Sequence, residues 1–196
     1  KKKKKTMRVS KLLCLLIFIP FALLANDNLE QIKNESVNLL DTNPEKALQL
    51  SLTGLQLAKE IDPNIAWEFH FNLGYLYKVH FRDDTKALIH LLSASDKCPA
   101  TNKQKGHIIN NIGRVLSKHS SYNLAIKYYS DGLKYADNNL KSRLLLNRGN
   151  AYKNSNKLLL ALDDYLNAIT FCEQTNSVSR KFKLYNQIGL IYSHTG

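Results

Sequence analysis

Four stretches of this chain repeat one arrangement of small and bulky residues at the same internal offsets. They are Ala47-Leu48…Ser51…Gly54-Leu55, Ala87-Leu88…Leu91…Ala94, Ala125-Ile126…Tyr129…Gly132-Leu133 and Ala161-Leu162…Tyr165…Ala168-Ile169. Apolar offsets of i, i+3, i+4 and i+7 mark one face of an α-helix. A unit that recurs at a fixed period and cannot bury such a face alone has to stack on its neighbours. An all-α, elongated chain is therefore expected. Its long hollow flank suits the capture of another molecule better than bond-making chemistry.

Between and after these stretches lie helices that carry Gly among apolar neighbours. They read Asn72-Leu73-Gly74-Tyr75-Leu76-Tyr77, Asn111-Ile112-Gly113, Asn147-Arg148-Gly149-Asn150-Ala151-Tyr152 and Gln187-Ile188-Gly189-Leu190-Ile191-Tyr192. With these residues the chain resembles the tetratricopeptide repeat family, whose pattern is W-x2-L-G-x2-Y…A-x3-F…P. The spacing is twelve residues from Gly113 to Ala125 and from Gly149 to Ala161, as that pattern requires, and thirteen from Gly74 to Ala87, which places an extra residue in that turn. Pro99 stands where the family's closing proline belongs. Departures are His70 and Arg148 in place of apolar residues, Asp137 and Glu173 in place of the closing proline, and Gly-to-Gly distances of 39, 36 and 40. The family's usual period is about 34.

The resemblance implies a right-handed superhelical solenoid of antiparallel helix pairs. Residues 63–196 divide into repeats at about 63–101, 102–138 and 139–176, with a half repeat at 177–196. Residues 26–62 form a divergent first pair, with Pro44 opening a helix after Asn43. The last leading helix would lack a partner, leaving Tyr185, Ile188 and Tyr192 exposed, as in the front part of a longer protein.

Residues 1–25 read as an export leader. Met7-Arg8-Val9-Ser10-Lys11 is basic, the run from Leu12 to Ala25 is apolar apart from Pro20, and polar Asn26-Asp27-Asn28 follows. Fourteen residues are too few to cross a hydrocarbon core of ~30 Å comfortably, but they suit a signal peptide cleaved after Ala25. Lys1–Thr6 ahead of Met7 read as translated upstream sequence. The expected product is exported, periplasmic or extracytoplasmic.

The formal charge of +12 invites a nucleic-acid reading, which fails on location. Seven positives lie in residues 1–11 with no acid among residues 1–25, leaving +5 over residues 26–196. That is short of a DNA footprint, so no nucleic-acid partner is expected. Cys98 and Cys172 occupy equivalent places two repeats apart, too distant for a bridge, and read as apolar fillers. No metal-ligand spacing, phosphate loop or nucleophile elbow is present. Neither catalysis nor a cofactor nor a metal is implied, and Asp83-Asp84 and Asp163-Asp164 read as solvated acids.

In the family the first helix of each pair lines the concave side. Two residues before each Gly stand Asn72, Asn111, Asn147 and Gln187. A row of carboxamides offers donors and acceptors to an extended peptide backbone, and some family members use an asparagine ladder in this way. Tyr75 lies beside the first of them. One turn from the others lie His107, Arg114, Lys118, Arg143, Asn150, Lys153 and Lys183. The expected groove is polar and basic, and its complement is an acidic segment or terminal carboxylate. The chain thus reads as a non-catalytic protein- or peptide-binding module. Two alternatives are the sensor region of a membrane-spanning signalling protein and an envelope assembly scaffold.

Overall fold

The computed structural model describes residues 27–195, and every regular element among them is helical. Residues 27–38 lie in α1. There follow α2 (Pro44–Ile61), α3 (Ala66–Val79), α4 (Asp84–Lys97), α5 (Gln104–Lys118), α6 (Tyr122–Gly132), α7 (Asn138–Asn154), α8 (Leu158–Gln174) and α9 (Val178–Thr195). The leader expected at residues 1–25 lies outside the described residues. No helix among the described residues is long and apolar enough to cross a membrane.

Short polar side chains start several helices. Asn43 Oδ1 accepts from Lys46 N at 3.1 Å, with Pro44 in the first turn of α2. Asp83 caps α4 through Lys86 N at 2.9 Å, and Asp137 caps α7 through Leu140 N at 2.8 Å. Each satisfies an N–H that the first turn leaves without a carbonyl, worth about 1 kcal/mol. Asp83 is therefore a helix starter, and Asp137 stands in for the family's proline by opening the next repeat.

The turns inside the hairpins share one device. Arg82, Ser120 and Asn156 adopt positive φ of 52°, 57° and 59°, and each precedes the first alanine of its second helix (Ala87, Ala125, Ala161) by five residues. Ser120 and Asn156 follow Gly113 and Gly149 by seven residues, whereas Arg82 follows Gly74 by eight. The extra residue of the first full repeat thus lies before the left-handed residue, in the turn that follows α3.

α3 packs on α4, α5 on α6 and α7 on α8, and each second helix meets the first helix of the next pair. The result is a right-handed superhelical solenoid of antiparallel helix pairs. The close approach within each hairpin comes from a knob against a glycine. A Cβ on Gly74 would lie 2.7 Å from Leu91, and one on Gly113 or Gly149 would lie 2.5 Å from Tyr129 or Tyr165. Leu91, Tyr129 and Tyr165 are at most 1% exposed. Burying an apolar side chain such as Leu91 stabilises by about 1.5–3 kcal/mol. The tyrosine hydroxyls keep partners: Tyr165 donates to Asn150 Oδ1 at 2.8 Å, and Tyr129 Oη lies 3.3 Å from Ser117 Oγ. Around Gly189 nothing lies within 4 Å of the corresponding position. On α9, Tyr185 and Tyr192 are exposed, while Ile188 packs into the core formed by α7 and α8. Cys98 and Cys172 are buried and unbridged.

Two departures from the family pattern turn out to be paired. Arg148 sends Nε and Nη2 to the two oxygens of Asp164 at 2.8 and 2.6 Å, and Nη1 to Ser130 Oγ at 2.8 Å. This fork ties α6, α7 and α8 together. It also corrects the reading of Asp163-Asp164 as solvated, because Asp164 is 1% exposed and only Asp163 faces water. Asp84 is corrected likewise, since its Oδ2 accepts from Lys118 and lies 2.9 Å from His119 Nε2. His70, on α3, meets His90, on α4, at 3.0 Å between Nδ1 atoms, and Tyr77 stacks on His90. Burial and the neighbouring His90, Lys97 and Lys59 hold the His70 pKa down at about 4.

Candidate peptide-binding groove

The carboxamide row lies on the leading helices, as its spacing requires, but much of it is tied sideways from one leading helix to the next. Asn72 Nδ2 donates to Ser36 Oγ at 3.1 Å, and Asn147 Nδ2 to Asn110 Oδ1 at 2.9 Å. Lys78 donates to Asn111 Oδ1, and Lys153 to Gln187 Oε1 at 2.7 Å. Asn111 also donates to the His107 carbonyl of its own helix at 3.0 Å. A free asparagine ladder is therefore not what the fold builds. Asn72 in particular is corrected from a groove residue to an interhelical tie, being only 5% exposed. Tyr75 donates to Asp41 Oδ1 at 2.7 Å, which holds the phenol above its ordinary value and the Asp41 carboxyl below its own. These ties join residues some 33 to 37 positions apart, about one repeat.

Further along, the leading helices open into two adjoining cavities that share Arg114 and Asn147. The larger, about 290 Å³, lies between α5, α7 and the start of α9. Arg143, Arg180 and Lys183 complete its cationic lining, with Ser177 and Ser179 beside them. The second, about 260 Å³, runs along Ser117, Lys118, Asn150 and Asn154. Arg114, Lys118, Arg143, Asn147, Asn150 and Lys183 are thus brought together as the sequence implied. Burial, and then the nearby Arg143, lowers the pKa of His107. Lys118 sits at the rim, paired with Asp84.

No carboxylate lines either cavity. Among the described residues, Arg114, Arg143 and Lys183 form no ion pair and no hydrogen bond, whereas Arg180 donates to Asn139 Oδ1 at 3.1 Å and Ser142 Oγ at 2.7 Å. The crowding of like charge bears on the cations themselves. Burial and then Arg114 push Lys78 down to about 8, and burial, Arg180 and Arg114 depress Arg143. A bound anion would relieve that repulsion. Ser177, Ser179 and Arg180 escaped the sequence reading because they lie at the cap and first turn of α9, two or more turns before Gln187 and beyond its one-turn neighbours. The local charge balance does point to them. Residues 26–103 hold eight lysines and arginines against eleven acids, while residues 104–196 hold thirteen against five.

No cluster of His, Cys, Asp and Glu among the described residues has the arrangement to hold a metal ion. What the geometry defines is a helical-repeat protein of the tetratricopeptide type with a cationic concave face. Residues 45–195 match the RNPP family C-terminal domain, and the chain belongs to that family, whose members are tetratricopeptide-like repeat folds that bind peptides or proteins generally. Solved structures share the fold at low identity. A crystal structure of MamA matches at 17% identity and a TM-score of 0.62, covering 76% of this chain and 81% of that one. BtubC from P. vanneervenii matches at 17% identity and a TM-score of 0.61, covering 68% of this chain. The chain spans 58% of the BtubC structure's length. No functionally curated protein matches the sequence.

Proposed function

We propose that this chain is an exported, non-catalytic binding module that holds an extended, acidic segment of a protein or peptide across α5, α7 and α9. The observation that supports it is the convergence of Arg114, Arg143, Arg180 and Lys183 on one cavity without a carboxylate in its lining. A basic face on a helix is normally solvated and diffuse. Here four cations from three helices surround a common space, and an anion entering it would gain charge-assisted hydrogen bonds. Asn147 and Asn150, beside that space, offer donors and acceptors to a peptide backbone. Export is inferred from the basic-then-apolar order of residues 7–25.

The test is calorimetry with binders selected from a random library of acidic peptides. Arg114→Glu with Arg143→Glu is expected to weaken binding at least a hundredfold, while Asp41→Ala in the other half changes it less than threefold. Undiminished binding by the double variant would remove the groove from the account. Intact-mass analysis of secreted protein beginning near Asn26 supports export, and a product retaining residues 1–25 contradicts it.

A further inference from the structure

The larger cavity carries more charge than a peptide carboxylate needs. Arg114 on α5, Arg143 on α7, and Arg180 and Lys183 on α9 give it four formal positive charges, against the single negative charge of a carboxylate. Its neutral donors are matched to a group with several oxygens. Ser177 and Ser179 supply two hydroxyls. The carbonyl of Ser177 accepts the first helical bond of α9, from Lys181 N. Ser177 is therefore the cap residue, and the N–H groups of Ser179 and Arg180 fall in a first turn that offers them no helical carbonyl. Helix starts of this kind favour anions, and here the start coincides with the side-chain cluster. Arg180 is braced from behind by Asn139 and Ser142, so its remaining N–H groups have a fixed direction.

We infer that this cavity is a pocket for a phosphate-type dianion, a tetrahedral oxyanion either free in solution or esterified on the bound segment. The inference rests on the groove proposed above and narrows the chemistry that its α9 end selects. A phosphate monoester presents three acceptor oxygens and between 1.5 and 2 negative charges near neutral pH, since its second pKa is about 6. Three guanidinium forks and two hydroxyls can satisfy those oxygens together. A planar carboxylate leaves most of them unused.

The experiment is calorimetry on the protein with four probes: inorganic phosphate, acetate, and one library-selected acidic peptide bearing either phosphoserine or serine at a single position. Expected is saturable 1:1 binding of inorganic phosphate, at least tenfold tighter than acetate. Binding should strengthen between pH 5 and pH 7.5 as the second proton leaves. Arg143→Gln and Lys183→Gln should each cost about tenfold, while Lys127→Gln, on an exposed face of α6, should change affinity less than twofold. Phosphoserine tighter than serine on the peptide assigns the ester as a natural source. Equal peptide affinities, with free phosphate still bound, assign the free ion. Phosphate binding no better than acetate, or equally reduced by Lys127→Gln, overturns the pocket. The groove would still stand in that event if the Arg114/Arg143 double variant loses the unphosphorylated peptide.

Discussion

The two halves of the solenoid differ in the polar side chains that remain once their layers are tied. From α1 to α4 they turn toward one another: Asn72 on Ser36, Tyr75 and His80 on Asp41, His70 on His90. From α5 onward the leading helices keep several cations unpaired around shared space. The backbone plan is the same in both, with a knob against a glycine in the α3–α4, α5–α6 and α7–α8 hairpins. The difference therefore lies in the residues left over once packing is satisfied. Both halves tie their layers together, with Asn147 on Asn110 and Lys153 on Gln187 in the second, but only the second also gathers cations such as Arg114, Arg143 and Lys183 around space open to a visitor.

The largest expected effect probes the place where the second half also buries charge. Asp164→Ala leaves the Arg148 guanidinium without its counter-ion and should cost about 3–5 kcal/mol. Replacing both residues with leucine should recover most of that loss. Urea denaturation measures both, and a double variant as unstable as the single one would show that the fork specifies the stack rather than merely filling it.

Next in size is a contrast between equivalent glycines. Gly149→Ala forces a methyl toward the Tyr165 ring, and overpacking of this kind costs about 1–3 kcal/mol. Gly189→Ala meets nothing within 4 Å and should stabilise α9 by about 0.5–1 kcal/mol through helix propensity. Thermal melts of the two variants shifting in the same direction would break the knob-and-glycine account.

The effect smallest near neutral pH belongs to the first half. His70 has a folded pKa near 4, below its unfolded value of about 6.5, so the unfolded chain binds the extra proton first as pH falls. Its contribution is whole above pH 6.5 and is lost as pH falls toward 4, with a slope of at most about 1.4 kcal/mol per pH unit. Burial lowers the pKa of His90 as well. His70→Leu, restoring the family's apolar residue, should flatten that slope in denaturation curves between pH 4 and 7. An unchanged slope would place the acid sensitivity elsewhere.

The fold was legible because steric contact enforces it. Gly113 and Gly149 lie twelve residues before Ala125 and Ala161 since the knob, the glycine and the turn leave no other register, and the extra residue before Ala87 appeared where the spacing put it. The groove was legible only in part. Stripes along one helix found Arg114, Arg143, Asn147, Asn150 and Lys183, because residues three and four apart share a face. Stripes do not reveal which side chains are claimed by the next layer, and Asn72, Asn111 and Gln187 are held by residues about a repeat away. Asp164 read as solvated for the same reason, since its partner Arg148 sits on the preceding helix. Arg180, Ser179 and Ser177 lie at the start of α9, two or more turns before Gln187 and outside the one-turn neighbourhood of the stripe.

The placement of the open space in the second half is tested most directly by site-specific photo-crosslinking to a peptide selected from the acidic library. A photoreactive amino acid in place of Asn147 is expected to capture the peptide, and the same group in place of Asp41 is expected to leave it free. Capture at position 41 with none at position 147 would contradict the account.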